Sequence, residues 1–365
     1  MFRSLFAIAV LTGCSAAQPE VHAVSSSPAA APAASAAGTP APLAPLTASV
    51  LHVGFTVSSL ERAAHDFARL DFKPGARHDL SGSAFETLTH LAGARAHTLE
   101  LSLGNETIEL SAFEGTPGRA IPNDSRSNDA WFQHVAIVVS DMDAAYQRVS
   151  GGFAKAPTGG PELYPTSPAP QTIPVSNPAA GGVRAFYFED ADRHNLELIW
   201  FPAGKGQPRW QVPGKAPLFL GIDHSAIATG DTERSLSTYR DALGLSVAGT
   251  SLNFGTEQEA LSGVANARVR ITGLRGSAGP GVEFLQYLEP GPGRPAPEDT
   301  RVNDLWHWEI TVLVNDVERA SLAVEAHGGK RISSRIAEFP NAELGYRRAL
   351  LMSDPDGHAL RLVQR

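Results

Sequence analysis

The stretch PGRAIPNDSRSNDAW, residues 117–131, returns 175 positions later as PGRPAPEDTRVNDLW, residues 292–306. Both copies carry proline, glycine, arginine, aspartate, asparagine and tryptophan at the same places. A match this long at one fixed offset indicates that a domain has been duplicated within the chain of 365 residues. We therefore expect two similar domains, and we expect the repeated residues to have a structural role in joining paired modules.

Each copy divides again into two modules. Four segments combine an alternating strand with a polar turn, namely HVGFTVSSL (52–60), HVAIVVSDM (134–142), HSAIATGDT (224–232) and EITVLVNDV (309–317). Helical patterns follow them over Glu61–Leu70, Asp143–Val149, Glu233–Leu243 and Glu318–His327. Glycine-rich turns then separate short apolar strands. The chain is predicted to have an α+β fold built from four βαβββ modules.

This module resembles the vicinal-oxygen-chelate (VOC) superfamily, the glyoxalase, bleomycin resistance protein and dioxygenase family, and the resemblance covers residues 49–365. The segments YRDALGL (239–245) and DPDGH (354–358) add to it. The resemblance implies that modules pair into half-open barrels around a metal ion, so four modules give two tandem barrels. We expect domain 1 over residues 49–203, a linker over 204–217 and domain 2 over 218–365, with no oligomer required to complete a barrel.

In this family the metal ligands come from the first and last strands of paired modules. The matching positions in domain 1 are His52, Glu109, His134 and Glu197. Because side chains alternate between the two faces of a strand, all four fall on the face opposite the apolar residues. Buried carboxylates that face imidazoles suit a divalent cation, with Zn, Ni, Mn and Fe as candidates. The resemblance implies that Glu197 is the catalytic base, with Glu109 as the second candidate.

Domain 2 has changed at two of these positions. His224 and Glu283 keep the expected places, but Glu309 and Arg361 stand where domain 1 has a histidine and a glutamate. A guanidinium has no lone pair to offer a cation, and its charge repels one. We therefore expect domain 2 to be degenerate, with Arg361 paired to Glu283 or Glu309, or else holding a ligand carboxylate.

The resemblance favours a divalent-metal-dependent lyase or isomerase of the glyoxalase I type, acting on a small substrate with vicinal oxygens. Two alternatives stay open. An extradiol-type ring-cleaving dioxygenase would use His52, His134 and Glu197 and leave coordination positions open for catechol and oxygen. A binding protein similar to the bleomycin resistance members would hold a small molecule without turnover.

The N-terminus has the features of an export signal. Arg3 precedes an apolar run over Leu5–Leu11, and LTGC at residues 11–14 resembles a bacterial lipobox. The resemblance implies a signal peptide over residues 1–13 and lipidation of Cys14, the only cysteine. Residues 14–48 are rich in alanine, proline and serine, which predicts a flexible tether.

We expect a lipoprotein at the outer membrane that faces the periplasm of a Gram-negative bacterium and contacts the membrane only through its lipid anchor. That location counts against glyoxalase I itself, whose substrate depends on an abundant cytosolic thiol. The formal net charge of −8 and the absence of a basic stripe argue against a nucleic-acid partner. The expected partner is a small-molecule substrate or ligand.

Overall fold

The computed structural model describes residues 46, 48–115, 117–153, 162–212, 216–340 and 344–365. The predicted signal peptide, Cys14 and nearly all of the tether lie outside the described residues. None of the described helices is long and apolar enough to cross a bilayer. The described residues belong to one compact unit.

Four βαβββ modules follow one another along the chain, as predicted. Module 1 contains β1 (Ser49–Thr56), α1 (Leu60–Ala68), β2 (Lys73–Leu80), α2 (Gly82–Thr89), β3 (Ala96–Leu103) and β4 (Glu106–Phe113). Module 2 contains β5 (Gln133–Val139), α3 (Met142–Ser150), β6 (Tyr164–Pro165), β7 (Gln171–Thr172), β8 (Arg184–Glu189) and β9 (Asn195–Trp200). A 3₁₀ turn over Pro208–Trp210 precedes module 3.

Modules 3 and 4 repeat this order. Module 3 contains β10 (Phe219–Ala228), α4 (Thr232–Leu236) with a π-type continuation over Ser237–Ala242, β11 (Ser246–Phe254), α5 (Thr256–Ser262), β12 (Arg268–Arg275) and β13 (Gly281–Glu289). Module 4 contains β14 (Trp308–Leu313), α6 (Val317–Ala326), β15 (Lys330–Arg331), β16 (Ala337–Glu338), β17 (Arg348–Ser353) and β18 (Ala359–Gln364). The α+β fold and the four helices predicted after the first strands are confirmed, whereas α2 and α5 were not predicted.

The polar turn after each first strand starts the next helix. Its last residue is an N-cap whose side-chain oxygen accepts a hydrogen bond from a backbone N–H in the first helical turn. These N-caps are Ser59, Asp141, Asp231 and Asp316. The same local signal therefore begins the first helix of all four modules.

The strands of the described residues form two open nine-stranded sheets, and the modules pair differently from our expectation. β1 pairs antiparallel with β14, so modules 1 and 4 share one sheet. β5 pairs antiparallel with β10, so modules 2 and 3 share the other. This corrects the expected division into a barrel within residues 49–203 and a second within residues 218–365, because both sheets cross those boundaries.

Modules adjacent in sequence do lie together, but through their apolar faces. Val53 of β1 shares a hydrophobic core with Val135 of β5, and Ile227 of β10 shares another with Ile310 of β14. The strand alternation thus predicted the apolar face correctly. It could not predict which first strands pair with one another. The backbone hydrogen bonds between two strands are the same for any two of the four similar first strands.

The repeated segment forms a reciprocal clasp between the two halves of the chain. Arg119 contacts Asp304 at 2.6 Å and Asp299 at 2.9 Å, and its guanidinium lies 4.7 Å from the ring centre of Trp306. Arg294 makes the same contacts with the first copy. A Cβ on Gly118 would lie 1.5 Å from the carbonyl oxygen at position 303, so only glycine permits this approach. The expected structural role is therefore visible, although the clasp joins connecting segments rather than strands.

Candidate metal centre

Two histidines and a glutamate meet in the sheet of modules 2 and 3. His134 lies on β5, Glu197 on β9 and His224 on β10, and one ligand atom from each lies within 4.8 Å of the others. The Nε2 atoms of His134 and His224 lie 3.1 and 3.5 Å from Oε2 of Glu197. Glu283 on β13 adds a fourth group, with its Oε1 atom 3.4 Å from Nε2 of His224.

The sheet register makes this grouping nearly two-fold symmetric. One row across β10, β5, β9 and β8 aligns His224, Ala136, Glu197 and Tyr187. The matching row across β5, β10, β13 and β12 aligns His134, Ala226, Glu283 and Gly273. Each module therefore supplies one histidine from its first strand and one glutamate from its last strand to the same face.

The cluster lies beside a large cavity. A volume of about 920 Å³ is lined by Glu197, His224 and Glu283, with the fully buried His134 behind them. Cavities of several hundred Å³ accommodate small organic ligands. Glu197, His224 and Glu283 therefore lie where a ligand can reach them.

The histidine nitrogens match the requirement of a cation. Nδ1 and Nε2 of His134 and Nε2 of His224 are buried without a hydrogen-bond partner, and the 3.1 Å contact of His134 with Glu197 lacks hydrogen-bond geometry. A buried polar atom is rarely left without a partner, since that costs about 1–3 kcal/mol. Two imidazoles and a carboxylate within 4.8 Å of one another, with a second carboxylate beside His224, are a donor set that fits a divalent metal ion.

Protonation further separates the two histidines. Burial lowers the pKa of His134 below its usual value, so this imidazole is neutral and available as a ligand. Burial also opposes the charged form of His224, but Glu283, Asp223 and Glu197 together raise its pKa well above the usual value. Burial raises the pKa of Glu283. A cation bound at the cluster would oppose protonation of both histidines.

His224 is held by a buried carboxylate. Oδ2 of Asp223 accepts from Nδ1 of His224 at 3.0 Å and from Arg275 at 2.7 Å, and Oδ1 accepts from the indole of Trp210 at 2.6 Å and from Gln207 at 3.1 Å. The bond at Nδ1 leaves the lone pair of Nε2 directed at the cluster. A carboxylate behind a histidine is the usual support of a metal ligand.

The structure separates the four ligands predicted for domain 1. His134 and Glu197 lie in the cluster just described, but His52 and Glu109 lie in the sheet of modules 1 and 4. This corrects the expected ligand set and removes Glu109 as a candidate base there. The cause is the module pairing, because the first and last strands that face one another belong to modules 2 and 3.

The equivalent place in the other sheet is closed by an ion-pair cluster. Arg361 donates to Glu109 at 2.7 Å and also contacts Glu309 and the hydroxyl of Tyr346. The remaining cavity is about 20 Å³. Burial opposes ionisation of Glu309, but the charge of Arg361 lowers its pKa to about 2. The degenerate site thus combines modules 1 and 4, with Arg361 paired to Glu309 as one of the two expected partners.

Sequence reasoning therefore predicted a cluster of histidines and glutamates, and the structure gives His134 and Glu197 other partners, His224 and Glu283. His224 and Glu283 were recognised at their module positions but placed in the degenerate domain. Asp223 was missed, although it directly precedes His224, whereas Leu51 precedes His52. That difference between equivalent positions was the available signal.

Among the described residues a second group has ligand-like spacing, formed by His65, Asp66 and Glu162. His65 exposes 63% of its side chain. Glu162 is already paired with Arg69. This surface group lacks the buried imidazoles that distinguish the cluster of modules 2 and 3.

Comparison with known proteins agrees with this architecture. Residues 221–362 match the model of the Glyoxalase/Bleomycin resistance protein/Dioxygenase superfamily. No curated protein matches the sequence. Glyoxalase I from Zea mays has a similar structure, with a TM-score of 0.57 and 18% identity over 87% of this chain and 93% of that chain. A mutant of that enzyme gives a TM-score of 0.58 at 17% identity over 87% and 93% of the two chains.

At these identities the structural likeness shows the fold alone. The matched residues 221–362 run from β10 to β18, so they cover modules 3 and 4, which contribute to different sheets. Residues 221–362 are therefore similar to the Glyoxalase/Bleomycin resistance protein/Dioxygenase superfamily, and the chain has a fold similar to that of glyoxalase I from Zea mays.

Proposed function

We propose that His134, Glu197, His224 and Glu283 bind one divalent metal ion, and that the protein is a metal-dependent lyase or isomerase acting on a small substrate with vicinal oxygens. The observation that carries this proposal is a buried pair of imidazoles with unpartnered nitrogens beside two carboxylates and a cavity of about 920 Å³. The bound ion would act as a Lewis acid that stabilises negative charge on the substrate oxygens.

The protein groups have separate tasks in this reaction. Glu197 on β9 and Glu283 on β13 lie on different strands of the site. Either carboxylate could remove a proton from a substrate carbon next to a carbonyl group. Burial raises the pKa of Glu283, which makes it the stronger base of the pair, while its partly exposed side chain faces the cavity. Asp223 holds the ring of His224 in place. We assign Glu197 and Glu283, and not Glu109, as the candidate bases.

An extradiol-type dioxygenase is the second candidate. The tight group contains only His134, Glu197 and His224, which is the two-histidine, one-carboxylate set of non-haem iron oxygenases. If the protein is such a dioxygenase, Glu283 would not bind the metal ion, and coordination positions would be left open for a diol and oxygen. Zn, Ni, Mn and Fe therefore all remain candidates for the ion.

Exchange of substrate protons with solvent tests the first proposal. The metal-loaded protein is incubated in D₂O with an α-hydroxy ketone such as dihydroxyacetone, and loss of the proton signal is followed by NMR. We expect exchange that is lost in Glu283→Gln or Glu197→Gln and retained in Glu109→Gln, the equivalent substitution in the closed cluster. Oxygen uptake with catechol and no proton exchange would favour the dioxygenase. Metal-free protein that still binds small ligands would contradict both enzymes.

We also propose that Cys14 carries a lipid that anchors the protein at the outer membrane, facing the periplasm. Support comes from the sequence LTGC and the long Ala/Pro/Ser-rich segment after it. The cluster of modules 2 and 3 would then act on molecules outside the cytosol. Fractionation of cells that express the full chain tests this location.

A further inference from the structure

We propose that the cavity of modules 2 and 3 selects an uncharged substrate with a flat, ring-sized body, which lies on a lane formed by Gly273 and Gly249. This inference rests on the proposed metal centre, since the substrate oxygens would bind there. It concerns the part of the substrate that points away from the metal.

The lane begins at the ligand Glu283 and crosses two strands. Gly273 on β12 pairs with Glu283 on β13, and Gly249 on β11 pairs with Gly273. All three line the cavity. Neighbouring strands are about 4.8 Å apart, so the two glycines leave a floor about 10 Å long without side chains.

The backbone does not require these glycines. Neither Gly273 nor Gly249 has a positive φ, although a bulge at Ala248 precedes Gly249. A Cβ at Gly249 would meet nothing within 4 Å, and a Cβ at Gly273 would lie 3.9 Å from the carboxylate of Glu283. Because glycine weakens a strand, its presence at two adjacent positions indicates that the space above them is used.

The equivalent positions around the cavity support this reading. Across the near two-fold axis, Tyr187 occupies the place of Gly273, so the floor without side chains lies on one side of the metal centre. In the closed sheet the counterpart of Gly273 is Glu100, which pairs with Glu109. Glycine at this place goes with a cavity of about 920 Å³, and a glutamate side chain with one of about 20 Å³.

The walls of the lane are apolar. Ile271 precedes Gly273 on the same face of β12, and Ile173 and Val183 line the cavity from module 2. The lining also includes uncharged polar side chains, among them Gln258, whose Oε1 atom is buried without a hydrogen-bond partner. A body that fills this space should therefore be largely apolar and able to donate a hydrogen bond.

Anionic ligands find one basic side chain without a carboxylate partner among the described lining residues, that of Lys205. Arg275 is paired with Asp223, Arg209 is paired with Glu106, and Lys205 donates to two backbone carbonyls at 2.8 and 2.9 Å. The lining holds four carboxylates, from Glu106, Glu197, Asp223 and Glu283. These carboxylates outnumber the three basic side chains of the lining, so a substrate body that carries carboxylates is disfavoured and an uncharged body is preferred.

Three hydroxamates of graded size and charge test the proposal by isothermal titration calorimetry on the Zn²⁺-loaded protein. Acetohydroxamate reports the metal centre alone, benzohydroxamate adds an uncharged ring, and 4-carboxybenzohydroxamate adds a charge to that ring. We expect benzohydroxamate to bind more tightly than the other two. Valine in place of either glycine should weaken benzohydroxamate by about tenfold or more, because its methyl groups occupy the space of the ring.

The variants are Gly273→Val and Gly249→Val, with Gly75→Val as the control. Gly75 lies on β2, the strand of module 1 equivalent to β11, and also lacks a positive φ. Acetohydroxamate affinity should stay the same in Gly249→Val and in the control.

If acetohydroxamate binds but neither lane variant weakens the binding of benzohydroxamate, the proposed lane is wrong and the metal centre stands. Equal or tighter binding of the carboxylated ring overturns the preference for an uncharged body. If acetohydroxamate does not bind at all, the proposed metal centre fails and the lane with it.

Discussion

Replacing Arg361 by methionine removes the guanidinium that separates two buried carboxylates. Arg361 exposes 8% of its side chain, and Glu109 and Glu309 expose 5% and 6%. Methionine keeps an unbranched apolar chain in the same space, so packing is largely retained. Breaking a buried ion pair leaves an uncompensated charge, and we expect the free energy of unfolding at pH 7 to fall by about 3–5 kcal/mol.

The pH dependence gives an independent measure of the same cluster. Burial would raise the pKa of Glu309, but Arg361 lowers it from 4.5 to about 2. Because the pKa is lower in the folded chain, ionised Glu309 stabilises the fold above its unfolded pKa, and this contribution is lost as the pH falls from about 4.5 towards 2. At about 1.36 kcal/mol per pKa unit, the difference corresponds to about 3 kcal/mol.

The sign reverses in Arg361→Met. The carboxylate of Glu309 then faces that of Glu109 without a cation, so Glu309 resists ionisation and its pKa rises. Lowering the pH from 7 to about 4.5 should therefore stabilise this variant, while the same change leaves the contribution of Glu309 in the parent largely intact.

Urea titrations followed by circular dichroism at both pH values measure these effects. The control is the triple variant Glu109→Gln/Glu309→Gln/Arg361→Met, in which no buried charge is left unpaired, and it should recover most of the loss. The reasoning is refuted if Arg361→Met lies within about 1 kcal/mol of the parent at pH 7, or if acidification fails to stabilise it.

Other substitutions probe the remaining parts of the account. Asp223→Asn should lower metal affinity by about tenfold or more in competition with a chelator, because His224 loses its support, and an unchanged affinity would show that Asp223 is not needed. Arg119→Ala and Arg294→Ala should lower the melting temperature by similar amounts, because they remove two copies of one clasp, and a large difference in calorimetry would contradict that equivalence. Cys14→Ser should move the protein from the membrane to the soluble fraction of cells, and continued membrane association would exclude a lipid anchor at this cysteine.

Local signals in the sequence predicted the modules well. The alternation around Val53 and Val135 put the apolar side chains in the core, and the polar turn that ends at Asp231 starts a helix. These features depend on residues only a few positions apart in the chain, so they can be predicted from a single sequence. The fixed offset of 175 residues likewise showed that Glu309 occupies the module position that His134 has in the first half of the chain.

The composition of each site depends on contacts between distant modules. Pairing modules 1 and 2 would give a His/Glu/His/Glu set, and so does pairing modules 2 and 3, because all four modules present similar strands. The choice is settled by features that appear only in three dimensions, such as the contact of Arg361 with Glu109, 252 residues away. That is why His52 and Glu109 were assigned to a metal centre, and why His224 and Glu283 were not.

The position of a bound metal ion tests the central claim most directly. Crystals of the metal-loaded protein, measured at the absorption edge of the metal found by elemental analysis, should show one anomalous peak per chain. We predict that it lies about 2.0–2.3 Å from Nε2 of His134, Nε2 of His224 and a carboxylate oxygen of Glu197. A peak between His52 and Glu109, or the absence of any peak near His224, would contradict the account.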